Sequence, residues 1–407
     1  MVNPTNIITL KSVGLPWFYS AEQNKKSVII RPTSVIRVPT FGFKRSAYTL
    51  RNLLGLFSIF AACFFQSPIQ ARQKDLSFFA ADHPYIQYTG RIDFSNPKLP
   101  RFWQPGVYIT IKISGANCRL IVNDEILWGK NHNYYELVVD GKSYRLQTKS
   151  KTDTISVTPY LSDQKTHTIT FYKNTEANIG YLELAGLLCN ELLKPSPKPI
   201  RKIEFIGNSI TCGTGSDLST IPCGKGEWQD QHNAYLSYGA VTARALKAQF
   251  HLSCVSGIGL MHSCCNMNII MPPVFDKISM RNDTIGWDFK KYQPNVVTIC
   301  LGQNDGIQDS ATFCNNYIAF IKQLRGYYPK ATVICLTSPM ADASLAVFMK
   351  KTLAAIVNNM NKNGDKRITS YFFSKQYHNG CDSHPDLAEH QLIARELTGF
   401  IRKQMKW

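Results

Sequence analysis

Between Leu193 and Pro199 the chain reads Leu-Lys-Pro-Ser-Pro-Lys-Pro. Three prolines so close together exclude both helix and central strand, so this tract must separate whatever folds before it from whatever folds after it. The patterning changes across it. From about Asp82 to Leu187 the apolar residues come in short alternating runs: Val107–Ile113, Cys118–Val122, Tyr135–Val139, Thr154–Val157, His167–Tyr172 and Tyr181–Leu184. Gly, Asn, Asp and Pro break these runs at roughly ten-residue spacing. That pattern predicts an all-β jelly-roll sandwich over residues 75–192.

Beyond the proline tract, which spans 193–199 as a linker, apolar strands alternate with helical stretches. The strands expected are Lys202–Ile206, His251–Val255, Val296–Leu301, Thr332–Leu336 and Ile368–Phe373. The helices expected are Tyr238–Phe250, Ala311–Tyr327, Ser344–Asn361 and Leu387–Lys406. Strand-helix alternation with buried strands implies a parallel, doubly wound sheet between helical layers, an α/β domain over 200–407. In such sheets ligands sit where the carboxyl ends of strands enter loops.

Residues 1–71 have a different character. They are basic and nearly free of acids, and residues 53–65, Leu-Leu-Gly-Leu-Phe-Ser-Ile-Phe-Ala-Ala-Cys-Phe-Phe, form an uncharged apolar run followed by Pro68-Ile-Gln-Ala71. This is the pattern of a signal peptide cut after Ala71, and the run is too short for the roughly 20 residues that cross a bilayer. The expectation is a secreted or periplasmic protein whose mature chain has no integral membrane segment. Phe60-Ala-Ala-Cys63 also offers a lipoprotein site, a transit peptide is an alternative, and the basic tract before the apolar run suggests an over-called translation start. The leader supplies much of the formal charge of +18, and the remaining basic residues are scattered. Nucleic-acid binding needs a clustered footprint, so no nucleic-acid partner is expected. The cysteines lack metal-ligand spacing, so neither a metal nor any other cofactor is expected.

Chemistry-bearing residues fall at the strand ends. After the first α/β strand comes Gly207-Asn208-Ser209-Ile210-Thr211, a tight turn that exposes a hydroxyl and leaves the Ser209 N–H free for an oxyanion. After the second comes Val255-Ser-Gly257-Ile-Gly259, and after the third Leu301-Gly-Gln-Asn304-Asp305, which adds a carboxamide donor. Gly380-Cys381-Asp382-Ser383-His384-Pro385 precedes the last helix and supplies an imidazole. Singly these are a helix cap, a turn, an Asx turn and a surface histidine. Together, each beside a strand end or the last helix, they make one constellation. The polar segment Thr214–Asn233 could line a cleft, with Trp228 offering a face for a sugar ring.

The order Gly-x-Ser, Gly, Gly-x-Asn-Asp and His-Pro before a final helix resembles the SGNH (GDSL-like) hydrolases. With the preceding sandwich, Tyr88-Thr-Gly-Arg91-Ile-Asp-Phe, Trp103-Gln-Pro-Gly106 and Tyr235-Leu-Ser-Tyr238-Gly239-Ala240, the chain is most similar to carbohydrate esterase family 2, of acetyl xylan esterase type. The resemblance implies an SGNH-type three-layer α/β/α domain. It also implies a serine esterase that removes O-acetyl groups from xylan, mannan or glucan, with acetylated carbohydrate as its partner. It makes Ser209 the nucleophile, His384 the base, and the Ser209 and Gly257 N–H groups with the Asn304 carboxamide the oxyanion donors. Two positions depart from the pattern. Asn208 replaces the usual Asp, and the acid three residues before the histidine is replaced by Cys381, with Asp382 only two before it. A Ser-His dyad is therefore expected, with Asp382 as a candidate third member. A carbohydrate-binding protein with a weakened site, or a lipid or thioester hydrolase of the same superfamily, remains the alternative.

Overall fold

A computed structural model describes residues 75–281 and 285–407, so the apolar run and Cys63 of the N-terminal tract lie outside the described residues. The first nine strands are β1 (Ser77–Ala80), β2 (Gln87–Thr89), β3 (Arg101–Phe102), β4 (Tyr108–Asp124), β5 (Tyr134–Val139), β6 (Lys142–Gln147), β7 (Thr152–Ser156), β8 (Thr166–Lys173) and β9 (Leu182–Leu193). All pair antiparallel, in the order β1-β9-β4-β8-β5-β6, with β2 and β7 also on β4 and β3 on β9. One inward set of side chains, from Ile109, Ile111 and Ile113 through Leu120 and Val122 to Leu187, forms the core.

The two runs predicted at Val107–Ile113 and Cys118–Val122 are a single 17-residue strand, β4. Its register shifts between Ser114 and Cys118, where Gly115 has φ +102°. In the sequence this glycine breaks the alternating pattern as a turn would, but in the fold it lies at a bulge, which bends a strand without ending it. The polar strand β6 went unpredicted because its side chains stay partly exposed and carry no apolar alternation.

The second half contains β10 (Arg201–Gly207), α1 (Ser209–Cys212), α2 (Tyr238–Ala245), β11 (Ala248–Cys254), α3 (Met271–Val274), β12 (Val296–Cys300), α4 (Ser310–Tyr327), β13 (Thr332–Leu336), α5 (Ala343–Lys362), β14 (Ile368–Tyr371) and α6 (Leu387–Met405). The five strands are parallel, ordered β11-β10-β12-β13-β14. One apolar cluster joins the sheet to α4 and α5, and a second joins it to α2 and α6, giving the three layers expected. Helix α2 is shorter than predicted, ending at Ala245, and Lys247 at φ +52° turns the chain directly into β11. The strand order reverses at β10, and the crevice at the carboxyl ends beside such a reversal is where ligands bind in these sheets. Among the described residues no helix is long and apolar enough to cross a membrane.

The two halves share a buried seam. Arg91, after β2, places Nη2 2.8 Å from Glu204 Oε1 on β10, and donates to the Lys277 carbonyl at 2.9 Å and to that of Phe275. Glu204 also accepts from Ser253 Oγ at 2.6 Å and from the Tyr328 hydroxyl. The proline tract is largely exposed but tied at two points, since Gln87 Nε2 donates to the Ser196 carbonyl at 3.0 Å and Gln249 Nε2 to that of Pro199 at 2.5 Å.

Candidate active site

At the carboxyl end of β10 the backbone turns at Asn208, whose Oδ1 accepts from the Ile210 N–H at 3.2 Å and caps the short helix α1. The cap needs an oxygen acceptor and no charge, so Asn serves where an Asp is usual. Gly207 permits the turn to close, because a Cβ there would lie 2.1 Å from Thr211 Oγ1. Ser209 is thereby set at the N-terminus of α1 with its side chain facing the crevice.

His384 Nε2 lies 2.8 Å from Ser209 Oγ, across 175 residues of sequence. Its Nδ1 lies 3.0 Å from the carbonyl oxygen of Cys381. A carbonyl only accepts, so Nδ1 carries the proton and Nε2 presents its lone pair to the serine hydroxyl. Burial pushes the His384 pKa below 6.5, while the Cys381 carbonyl and the charge of Asp382 oppose that shift. The imidazole is therefore neutral at neutral pH, the state a base requires. The ring is oriented by a backbone carbonyl. Asp382, the candidate third member, lines the same cavity at φ +52°, and both its charge and its backbone hydrogen bond favour the protonated ring, while the side-chain nitrogen Nδ1 is paired with the Cys381 carbonyl. Asp382 and Ser383 are both left-handed, a conformation that costs non-glycine residues about 1–3 kcal/mol each.

Ser209, Gly257 and Asn304 face one cavity of about 740 Å³ that also takes in His384, Trp228 and Asp382. Gly257 has φ +81°, and a Cβ on it would fall 2.8 Å from both Cys264 Sγ and Met267 Sδ, so only glycine fits. Asn304 Nδ2 gives one proton to the Ile258 carbonyl at 2.8 Å, which aims the carboxamide and leaves its second N–H for a ligand. Trp228 stands at the rim, 44% exposed, edge-on to His232 at 4.3 Å.

Several contributors escaped sequence reading. Asp305, inside the predicted Gly-x-Asn-Asp run, accepts from the Leu260, Met261 and His262 N–H groups at 2.9, 2.6 and 3.0 Å, and so fixes the loop that carries Gly257. Glu176 comes from the sandwich: its carboxylate takes the Ser256 N–H at 2.7 Å, beside the Thr214–Ser256 hydroxyl pair at 2.7 Å. Its neighbour Asn178 reaches the cavity wall. Nothing in the sequence links Glu176 to Ser256, which are distant in the chain. The Cys264–Cys265 disulfide lies in the cavity wall, and a second, Cys223–Cys381, joins the loop after Ser209 to the turn before His384. Cys212, Cys254, Cys300 and Cys335 are buried thiols whose pKa values burial raises. Among the described residues no group of three His, Cys, Asp or Glu side chains could hold a metal ion.

This arrangement can activate a serine hydroxyl and stabilise an oxyanion beside it, which is the equipment of acyl transfer. The comparisons agree. Residues 88–199 match the family model Carbohydrate esterase 2 N-terminal, and residues 205–367 match the GDSL-like Lipase/Acylhydrolase family. The chain is 32% identical over 345 residues to Cellulase/esterase CelE of Acetivibrio thermocellus, covering 80% of this chain and 40% of that longer protein. It is 26% identical to an acetylxylan esterase / glucomannan deacetylase of Cellvibrio japonicus, covering 83% of this chain and 94% of the relative. An active-site mutant of a family two carbohydrate esterase from Clostridium thermocellum superposes with a TM-score of 0.72 at 30% identity, covering 79% of this chain and 99% of that one. A family two carbohydrate esterase from Clostridium thermocellum in complex with cellohexaose gives a TM-score of 0.73 at 29% identity, covering 79% of this chain and 99% of that one. The chain belongs to carbohydrate esterase family 2.

Proposed function

We propose that this protein is a secreted or periplasmic serine esterase that removes O-acetyl groups from polysaccharide or oligosaccharide of the xylan, mannan or glucan type. The observation that carries the reading is the 2.8 Å contact between His384 Nε2 and Ser209 Oγ in a cavity that also holds Gly257 and Asn304. His384 takes the hydroxyl proton as Ser209 Oγ attacks the ester carbonyl carbon. The resulting oxyanion accepts from the Ser209 and Gly257 N–H groups and the second N–H of Asn304. Collapse breaks the ester bond, and the departing sugar oxygen takes the proton from His384 Nε2, leaving acyl-Ser209. Water, deprotonated by the same imidazole, attacks the acyl-serine, returns the proton to Oγ and releases acetate. Cys381 supplies through its carbonyl the orientation that a carboxylate gives in a triad, so the catalytic unit is a Ser-His dyad.

The relatives supply the substrate class. Their names specify acetylxylan, glucomannan and a bound cello-oligosaccharide, and Trp228 at the rim suits stacking against a sugar ring. Two disulfides support an oxidising compartment, as does the apolar run before Ala71. The test is acetate release from acetylated xylan and acetylated glucomannan by the chain starting at Arg72, beside Ser209→Ala. Release by the wild type alone is expected. Release by both proteins, or by neither, contradicts the reading.

A further inference from the structure

The Cys223–Cys381 disulfide joins the loop that follows the nucleophile to the turn that carries the base. Cys381 is also the residue whose carbonyl accepts from His384 Nδ1, and it occupies the place three before the histidine where the orienting acid usually stands. One residue thus carries both a covalent tether on its side chain and the orienting contact on its backbone.

The turn has reasons to move if released. Between Cys381 and His384 the chain passes through two consecutive left-handed non-glycine residues, Asp382 at φ +52° and Ser383 at φ +57°. This conformation curls the Cys381 carbonyl back under the imidazole, where it accepts from the His384 backbone N–H as well, at 3.0 Å. The other restraints on this segment are hydrogen bonds from Cys381 N–H to the Gly215 carbonyl at 2.8 Å, Gly380 N–H to that of His384 at 2.6 Å, Leu387 N–H to that of Ser216 at 3.0 Å and Asn379 N–H to the Glu389 carboxylate at 2.8 Å, so the disulfide is the covalent one among them. The partner end is held firmly. Gln231 Nε2 donates to the Lys225 carbonyl at 2.9 Å, and Asp230 receives the Tyr134 hydroxyl at 3.0 Å while Arg145 donates to its carbonyl at 2.7 Å. The loop carrying Cys223 is therefore anchored on the sandwich, and the disulfide passes that anchorage to the turn.

We infer that Cys223–Cys381 is a positioning element for His384, holding the Cys381 carbonyl against Nδ1 in place of a triad carboxylate. The inference rests on the esterase reading for its consequence in turnover, but not for its effect on the imidazole itself. Reduction of the bond by a dithiol, which transfers two electrons and two protons and leaves two thiols with an oxidised dithiol, should release the turn in the same way as substitution.

The test compares wild type with Cys223→Ser, which leaves Cys381 and its carbonyl in the chain. The His384 Nδ1–H resonance is followed by proton NMR, assigned by its loss in His384→Gln, and kcat and KM are measured on 4-nitrophenyl acetate. The expected result is exchange broadening or loss of that resonance in Cys223→Ser, a titration of His384 displaced to lower pH, and a fall in kcat of about 10- to 100-fold at unchanged KM. If Cys223→Ser does not fold, folded wild type is reduced and alkylated, the modified cysteines are mapped by mass spectrometry, and the same resonance is read. A folded variant or reduced protein with the wild-type resonance and titration overturns the inference, whatever its activity. A displaced resonance in a protein whose wild type hydrolyses no ester upholds the positioning role and contradicts the esterase reading instead.

Discussion

Arg91 and Glu204 meet 2.8 Å apart at the seam between the sandwich and the parallel sheet, with both side chains sealed from water. The guanidinium also sits 4.5 Å from the Phe275 ring centre, so it is held by charge, by carbonyls and by a π face at once. Removing one partner of such a pair strands a buried charge. Arg91→Ala should lower stability by about 3–5 kcal/mol, while Arg91→Met with Glu204→Gln should recover much of it. Chemical denaturation of the three proteins checks this, and an Arg91→Ala melt equal to wild type contradicts it.

In the proposed reaction Asn304 offers the oxyanion its second N–H, the first being spent on the Ile258 carbonyl, and that contact strengthens as charge develops. Asn304→Ala should therefore reduce kcat by about 10²–10³ with little change in KM. Steady-state kinetics on 4-nitrophenyl acetate separates this from a binding defect, which would appear in KM.

The pH dependence follows from His384. Burial lowers its pKa below 6.5, so the neutral base persists into mildly acid solution, and kcat/KM should fall with acid through a midpoint below 6.5. A midpoint above 6.5 in the rate profile contradicts the burial argument.

Stability should respond to acid as well. Burial pushes His232 and His390 down to about 3, so both stay neutral in the fold while the unfolded chain protonates them near 6.5. The unfolded state then binds more protons, and stability present above pH 6.5 is lost as pH falls toward 3. Each histidine costs about 1.4 kcal/mol per pH unit over that window. Urea unfolding at pH 7 and pH 5 measures the loss.

Trp228 is half-exposed in the wall of the cavity that holds Ser209, the nucleophile of the proposed reaction. Trp228→Ala should raise KM for acetylated polysaccharide several-fold, on the order of 1 kcal/mol of lost stacking, and leave hydrolysis of 4-nitrophenyl acetate intact. Equal effects on both substrates would place the indole in the reacting centre instead.

What could be read beforehand divides by range. The strand-helix alternation after Pro199 is a local signal, and so are Gly207-Asn208-Ser209 and Gly302-Gln303-Asn304-Asp305, because each motif sits beside the strand that positions it. The contact between Ser209 and His384 needed the order of strands, which resemblance supplied in advance. Glu176 against Ser256, Cys223 against Cys381 and Arg91 against Glu204 join segments far apart in sequence, and no local pattern announces them. The long β4 was split because Gly115 has the same local chemistry in a bulge as in a turn. The expected dyad with Asp382 as a candidate third member came from spacing before His384, and which group meets Nδ1 depends on the backbone of that turn, where Asp382 and Ser383 are left-handed and the Cys381 carbonyl lies 3.0 Å from the ring nitrogen.

In the proposed reaction the acyl group passes through Ser209. The direct measurement is mass spectrometry of protein quenched in acid during turnover of 4-nitrophenyl acetate, followed by digestion. One acetyl adduct on the peptide bearing Ser209, absent from Ser209→Ala and accumulating in His384→Ala only at a greatly reduced rate, is the predicted result. Acetate release at the wild-type rate from Ser209→Ala, or an adduct on another residue that forms as fast as turnover, would contradict it.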